Sequence, residues 1–390
     1  MKQTVKFDIY LGTYNRPVLL EYTLQSLCNQ TYKNFIVHLV DHGSTPPVNV
    51  DKLPKDLDIR FTRYENNFVD QHGCDIQEKV LGQLEGTHFI NFCDDDILLP
   101  NALEIAANII YYNPSVDNLS LGNVRFNHDT KKPERSSREL SDFDKNITIF
   151  DSQKAGVAFC SSWGIGPEVN FYTPLNAHSS ASICSNDLLL KTKNYQGNIF
   201  VKPFGDVGFV GTLFHTKHGY FLNSPLGIIG YSRNQVSNMS VNYNRFKWER
   251  EIPFLQYSPL KACTFKNMGV ESHLKVIYGN KLDKAWDISL RPHFFTAHLE
   301  EILSDDPWTE QTENDIEEAV PQFEESLMRY MNLTSNVAKL SVNDWIKKCK
   351  DMIVETKKED SDLPKKNEDT VLFNNVLDYS DYLMQNYWER

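Results

Sequence analysis

The sequence predicts an α/β fold with a Rossmann-like, mostly parallel sheet and flanking helices, followed by a mainly α-helical C-terminal region. Two observations predict it: β-prone runs alternate with segments of helical spacing early in the chain, and only helical spacing continues after about residue 246. A chain of 390 residues with 41% hydrophobic content can bury more than one core. We therefore expect two domains, 1–245 and 246–390.

The first elements alternate strand, helix and strand. Residues 6–11 are β-prone and end in the turn-rich cluster 12–17. Leucines at helical spacing follow, with Pro17 near the first turn, where its missing N–H is tolerated. The almost continuous apolar run at 35–40 is typical of a parallel strand covered on both faces, and the polar segment 41–45 closes it.

A second strand, helix and strand lead to an acidic triplet. The run at 59–64 is β-prone, helical spacing returns at 76–84, and an apolar run beginning at Ile90 precedes Asp94-Asp95-Asp96. Ligands of parallel sheets bind beyond the carboxyl ends of the strands. The sequence therefore predicts that residues 13–16, Asp41 and the acidic triplet converge there.

Three consecutive carboxylates at the end of a buried strand repel one another and lose solvation. They persist best when a hard divalent cation such as Mg²⁺ or Mn²⁺ is shared among them, and a diphosphate is a frequent partner of such an ion. This chemistry predicts a metal and diphosphate site. The alternative is an acidic turn that caps a helix starting near Pro100.

Four segments, 13–17, 24–35, 40–45 and 94–100, resemble the opening of the inverting family 2 glycosyltransferases in order and spacing. The resemblance is strong over about 5–105, looser to about 240 and absent beyond. It implies the GT-A fold, a nucleotide-sugar donor and a divalent metal, Mn²⁺ or Mg²⁺.

The resemblance also implies residue roles. Arg16 would reach a phosphate, Asp41 would accept a hydrogen bond from uracil, and Asp94 would contact the ribose or the metal. The implied nucleotide-sugar site comprises Thr13, Tyr14, Asn15, Arg16, Asp41, Asp94 and Arg233. The implied metal ligands are Asp95, Asp96 and Asn234.

An inverting transfer needs a base, because a sugar hydroxyl is a weak nucleophile until its proton is removed. The segment 201–211 resembles the place where family members carry an acidic pair, and here the pair is Gly205-Asp206. Asp206 is therefore the predicted base. The alternative is that Asp206 caps the following helix.

The predicted function is a metal-dependent inverting glycosyltransferase that moves a sugar, expected from a UDP-sugar, to a hydroxyl of a glycan or lipid-linked acceptor in surface polysaccharide assembly. Cys93, Gly205 and Asn234 each replace a group that the family usually has. A catalytically inactive nucleotide-sugar-binding or scaffold protein therefore stays open. A nucleotidyltransferase is a further alternative, although no Gly-rich phosphate loop with a following Lys occurs near the N-terminus.

Charge and cysteine content bear on partners and location. Forty Lys and Arg against 52 Asp and Glu give a net charge of -12, which argues against nucleic acid or an anionic membrane surface as the main partner. The seven scattered cysteines suit a reducing cytoplasm. With no signal peptide and no long apolar run visible, we expect a cytoplasmic protein.

The C-terminal region predicts helices near 253–278, 283–303, 312–333 and 341–357, then an exposed linker at 357–369. From about 370 the tail alternates apolar and acidic residues, so one face should be buried. The sequence favours docking onto the chain's own helical domain. Two alternatives are a contact between copies of the chain in a homo-oligomer and a peripheral contact with the inner face of the cell membrane. The acidic polar face of the tail disfavours the membrane contact.

Overall fold

The computed structural model of the chain describes residues 4–65, 72–133, 142–163, 165, 182–202, 204–232, 256–258, 265–284, 347 and 372–388. Within these ranges ten strands form one mixed sheet, in the order β3-β2-β1-β4-β9-β6-β10-β5, with β7 beside β6 and β8 beside β10. The strands are β1 (Phe7–Thr13), β2 (Phe35–His42), β3 (Ile59–Tyr64), β4 (His88–Cys93), β5 (Ile97–Leu98), β6 (Asn118–Asn127), β7 (Lys132–Pro133), β8 (Ile147–Ile149), β9 (Ser182–Ser185) and β10 (Gly219–Tyr231).

The first four strands form the parallel half of the sheet that the sequence predicts. All eight residues of β2 are buried, which explains its nearly continuous apolar sequence. The edge strand β3 alternates between more and less exposed positions over most of its length. In register, Thr13 lies opposite Asp41 and Gly12 lies opposite Cys93, so the carboxyl ends of β1, β2 and β4 meet at one edge. The predicted α/β fold class is confirmed.

Helices cover the sheet. α1 (Pro17–Cys28) begins with Pro17 at its first position and buries Leu20, Leu24 and Leu27 in the same cluster as the β1 side chains. The α-helices that follow α1 up to β10 are α2 (His72–Leu81), α3 (Ala102–Tyr112), α4 (Ser152–Ser162), α5 (Asn186–Gln196) and α6 (Val210–His215).

The second half of the sheet is mixed. β9 lies antiparallel between β4 and β6, and β10 runs parallel to β6. β10 shifts register twice around Pro225, and near this irregularity a Cβ on Gly122 would lie 2.3 Å from the Ser224 carbonyl oxygen. The shift lets one strand pair first with β8 and then, at Gly227 and Ile228, with β5. β10 thereby reaches the segment that directly follows the acidic triplet.

Two helices of the predicted C-terminal region are described. α7 (Phe265–Gly279) overlaps the second half of the predicted helix 253–278 and ends one residue later, and α8 (Val376–Leu383) belongs to the tail. The predicted helix at 283–303, beyond residue 284, lies outside the described residues. So do the predicted helices at 312–333 and 341–357, apart from residue 347, the linker 357–369 and the domain boundary at 245. No described helix is long and apolar enough to cross a membrane.

Within the described part of the chain the tail packs on the sheet, whereas the sequence favoured docking onto the chain's own helical domain. Val376, Tyr379 and Leu383 of α8 share a buried cluster with Ile97 of β5 and Ile228 of β10. The Asn375 side chain caps α8 by accepting hydrogen bonds from the two backbone N–H groups of 377 and 378. A local sequence pattern shows that a face is apolar, but it does not show which distant surface is complementary to it.

Leu383→Ala should lower the free energy of unfolding by about 2–5 kcal/mol, because Leu383 is fully buried and its removal leaves a cavity. Urea denaturation measures this change. Leu372→Ala is the control, because Leu372 is 67% exposed and its loss should change stability by no more than about 0.5 kcal/mol. Equal stabilities for the two variants would contradict the docking of the tail.

Candidate active site

The acidic triplet forms a tight turn between β4 and β5. The backbone N–H of Asp96 donates to the Cys93 carbonyl oxygen at 3.2 Å, which closes the turn. Asp94, Asp95 and Asp96 are 0%, 4% and 2% exposed, so three carboxylates are almost completely buried side by side. Such burial requires compensating partners, since an unpaired buried charge is strongly destabilising.

Arg16 supplies the positive charge. Its guanidinium forms an ion pair with Asp94 and a second one with Asp95 at 2.8 Å. The Thr13 hydroxyl also donates to Asp94 at 2.7 Å. Burial raises the pKa of Asp94 to about 7, although Arg16 and Thr13 act in the opposite direction. The predicted convergence of Thr13 and Arg16 with the acidic triplet is therefore observed.

The third carboxylate is held by β10. Asp96 accepts a hydrogen bond from the Gly230 backbone N–H at 2.9 Å. A Cβ on Gly230 would lie 2.0 Å from the Asp95 carbonyl oxygen, so only glycine permits this approach. His128 Nε2 donates to the same carbonyl oxygen at 2.9 Å. The turn is thus fixed through its backbone as well as its side chains.

One set of donor atoms in the described residues could hold a metal ion. The Cys93 Sγ and carboxylate oxygens of Asp95 and Asp96 all lie within 4.8 Å of one another. Two carboxylates so placed fit Mg²⁺ or Mn²⁺, which are hard ions with oxygen ligands, whereas a thiol fits them less well. The predicted ligand Asn234 and the predicted phosphate contact Arg233 lie outside the described residues.

The loop after β1 is joined to the loop after β2. Asn15 has a φ of 54°, a conformation that asparagine tolerates better than most residues. Its backbone N–H donates to the Ser44 hydroxyl at 3.0 Å, and its side-chain oxygen accepts from the Thr45 N–H at 2.7 Å. Tyr14, half-buried, lies in this same loop. The loop that carries Arg16 therefore has a defined shape before any ligand binds.

Asp41 organises the second loop. This fully buried carboxylate accepts hydrogen bonds from the backbone N–H groups of Ser44 at 2.8 Å and Val48 at 3.1 Å, and from Arg63 at 2.5 Å. Burial by itself would raise the pKa of Asp41, but these hydrogen bonds outweigh it and lower the pKa. Contact of Asp41 with a uracil ring stays a prediction.

Asp206 lies in a one-turn 3-10 helix, Gly205–Phe209, and is exposed. Neither this turn nor α6 has a side-chain cap, which disfavours the capping alternative. Phe209 stacks on Phe89 of β4 at a centroid distance of 6.0 Å. Burial raises the pKa of the Cys93 thiol well above its ordinary value, and nearby negative charges, that of Asp206 among them, add to the effect. Asp206 therefore lies within electrostatic range of the acidic turn.

Gly205 has a steric reason to lack a side chain. Its Cβ would lie 2.8 Å from Gln77 Oε1 and 3.3 Å from Cys74 Sγ. The buried Gln77 Oε1 has no hydrogen-bond partner among the described residues. The sequence did not indicate this contact, nor the support that Arg63 and His128 provide, because each partner lies on a different element of the fold.

Residues 8–170 match the family model described as Glycosyl transferase family 2. A curated relative, the putative colanic acid biosynthesis glycosyl transferase WcaA of Escherichia coli (strain K12), is 26% identical over 105 residues. The match covers 27% of this chain and 38% of the relative, so the chain spans well under two thirds of that protein.

Solved structures with a similar course of the chain include those of S. aureus TarS. The 1-349 form in complex with UDP-GlcNAc gives a TM-score of 0.49 at 16% identity, over 84% of this chain and 80% of that chain. The same form in complex with UDP gives a TM-score of 0.47 at 15% identity, over 95% of this chain and 99% of that chain. For S. aureus TarS the TM-score is 0.45 at 16% identity, over 84% of this chain and 49% of that chain.

A buried histidine beside the site makes stability depend on pH. His42 is buried, its Nε2 lies 2.8 Å from the Tyr10 hydroxyl, and burial lowers its pKa to about 4. Because this pKa lies below that of a histidine in the unfolded chain, the neutral form of His42 is favoured in the folded state. Its contribution to the free energy of unfolding is complete above about pH 6.5 and is lost as the pH falls towards 4. The slope of unfolding free energy against pH, measured by urea denaturation over roughly pH 7 to 5, should therefore be smaller in His42→Gln.

His218→Gln is the matched control, because His218 is exposed. Its slope should equal that of the parent chain. If His42→Gln also keeps the parent slope, the buried His42 is not the source of the pH dependence.

Proposed function

Because residues 8–170 match the family model described as Glycosyl transferase family 2, we propose that the chain is a metal-dependent inverting glycosyltransferase. The donor would be a nucleotide-diphosphate sugar, with UDP as the nucleotide, and the acceptor a hydroxyl of a glycan or a lipid-linked sugar. The observation that carries the proposal is the pairing of Arg16 with the acidic turn at the carboxyl ends of parallel strands, with Asp206 within electrostatic range of that turn. This edge is where sheets of this kind bind ligands.

The diphosphate half of the site would consist of carboxylates and one arginine. Asp95 and Asp96 would hold the divalent ion, which when bound supplies positive charge to the leaving diphosphate. Arg16 would contact a phosphate oxygen directly. Its Nε–H is buried and has no hydrogen-bond partner among the described residues, so a donor remains for that contact.

The acceptor half would depend on Asp206. The acceptor oxygen forms a bond to the anomeric carbon from the face opposite the diphosphate, the bond to the diphosphate oxygen breaks, and the hydroxyl proton passes to the Asp206 carboxylate. An exposed carboxylate that acts electrostatically on the acidic turn suits this role.

The biological setting is proposed from the relative. The similarity to a protein described as a colanic acid biosynthesis glycosyl transferase supports a role in surface polysaccharide assembly. Nucleotide sugars are made in the cytoplasm, so we propose that the chain acts there, with peripheral membrane contact if the acceptor is lipid-linked.

UDP release from a panel of UDP-sugars, with Mn²⁺ or with EDTA, tests the proposal. One donor should be hydrolysed only with metal. Asp95→Asn should abolish metal-dependent donor binding, whereas Asp206→Asn should bind the donor normally and hydrolyse it about 10²- to 10⁴-fold more slowly, because only the base is lost. Asp381→Asn, at an exposed acid on α8, should behave like the parent.

If the parent neither binds nor hydrolyses any UDP-sugar, the proposed UDP donor is wrong. If the parent binds a donor that no metal activates, the chain is a binder or scaffold rather than an enzyme.

Arg16 and a metal compete for Asp95, which gives a second prediction. Arg16→Gln should bind Mn²⁺ about tenfold more tightly in the absence of nucleotide, because the competing ion pair is gone. In the presence of UDP the same variant should bind less well, because the phosphate contact is lost. Electron paramagnetic resonance of free Mn²⁺ measures both affinities.

Arg60→Gln is the control, because the ion pairs that Arg60 of β3 forms with Asp58 and Glu85 are exposed. It should leave both affinities unchanged. Weaker Mn²⁺ binding by Arg16→Gln without nucleotide would contradict the competition.

A further inference from the structure

A cleft of about 340 Å³ opens between α7 and the segment that follows α5. This volume lies within the range of small-molecule sites, roughly 300–1,000 Å³. Its wall includes Gly197, Asn198 and Lys202 on one side and Tyr257 and Lys275 on the other. None of these residues belongs to the donor site described above.

The wall around Tyr257 is built by a buried carboxylate. Glu271 of α7 is fully buried and accepts hydrogen bonds from three successive backbone N–H groups, those of residues 256, 257 and 258, at 2.7–2.9 Å. The Tyr257 ring stacks on Tyr278, with centroids 4.6 Å apart and planes at 17°. Tyr257 therefore has a fixed orientation, although it is 43% exposed.

The opposite wall is open at Gly197 and is tied to α7. Gly197 has a φ of 92°, and a Cβ built on it would meet nothing within 4 Å. The Lys275 ammonium donates to the Lys202 carbonyl oxygen at 3.0 Å, which joins the two walls. A fixed aromatic ring across from open backbone leaves a space that a ring-shaped ligand can occupy.

The charges that border the cleft are balanced. Lys202 pairs with Asp75 at 2.8 Å, and Lys275 pairs with Glu271 at 3.5 Å. A site for phosphate or another anion would present cationic groups without such partners. The amides of Asn198 and Gln256 add uncharged hydrogen-bonding groups to the lining. This combination suits an uncharged, hydroxyl-rich ligand whose C–H face packs on an aromatic ring.

The cleft lies next to the Asp206 turn. Phe200 and Val201 line it, and the Cys74 thiol lies 3.8 Å from the Val201 carbonyl oxygen. A Cβ on Gly205 would lie 3.3 Å from that thiol and 3.4 Å from the Phe200 ring. One layer of side chains therefore separates the cleft from the residue that precedes Asp206.

We propose that this cleft is a subsite for a neutral sugar unit of the acceptor glycan, adjacent to the unit whose hydroxyl approaches Asp206. The inference rests on the proposed glycosyltransferase function. It adds the class of acceptor: a glycan of more than one unit, uncharged at the position that Tyr257 contacts.

Binding of the fluorescently labelled full chain to an array of neutral and acidic oligosaccharides tests the subsite. The parent should bind neutral members, and Tyr257→Ala should weaken this binding about five- to tenfold through loss of one aromatic contact. Tyr257→Phe keeps the aromatic ring and should retain most of the binding affinity. Tyr112→Ala removes a tyrosine of α3 that is 70% exposed, and this control should bind like the parent.

UDP binding with Mn²⁺ is measured on the same variants and should be unchanged in all of them, which shows that they are folded. If the parent fails to bind UDP, the proposed function fails independently of the array result. Absence of binding to every neutral oligosaccharide, binding to acidic members alone, or equal binding by Tyr257→Ala and the parent would each overturn the subsite.

Discussion

The structure depends on the burial of three adjacent carboxylates at the end of β4. Buried charge is tolerated only where partners compensate for lost solvation, and here the partners come from segments far apart in the chain. Thr13 is the last residue of β1 and Arg16 lies in the loop after it, whereas the Gly230 N–H belongs to β10. The ends of β1 and β4 must therefore lie side by side, and β10 must pass close beneath the turn. The sheet order satisfies both requirements.

The same arrangement recurs one strand away. Asp41 at the end of β2 is held by Arg63 of β3 and by two backbone N–H groups, much as Asp94 is held by Arg16 and Thr13. In both places a buried carboxylate fixes the shape of a loop. Loops fixed in this way lose little conformational entropy when a ligand binds, which favours affinity. The carboxyl edge of the sheet is thus preorganised.

The parallel half of the sheet could be predicted from the sequence, because its strands and helices have strong local periodicity. The position of Thr13 and Arg16 beside the acidic turn could also be predicted, since the carboxyl ends of parallel strands lie at the same edge of a sheet. The sequence did not predict the antiparallel insertion of β9 or the contact between Gln77 and Gly205. Those features depend on shape and hydrogen bonding between elements that are distant in the chain, and no local pattern encodes them. The docking site of the tail was missed for the same reason.

The packing of α8 means that residues near the end of the chain complete the apolar layer behind the acidic turn. Ile97 and Ile228 back the acidic turn, and their apolar cover includes Tyr379, which is encoded almost three hundred residues after Ile97. During synthesis the strands of the sheet leave the ribosome long before this part of the apolar cover exists. A fragment cut at residue 170 or 245 would carry an uncovered apolar surface and would be prone to aggregate. The residues that match the family model, 8–170, therefore end well before the residues that complete this apolar layer.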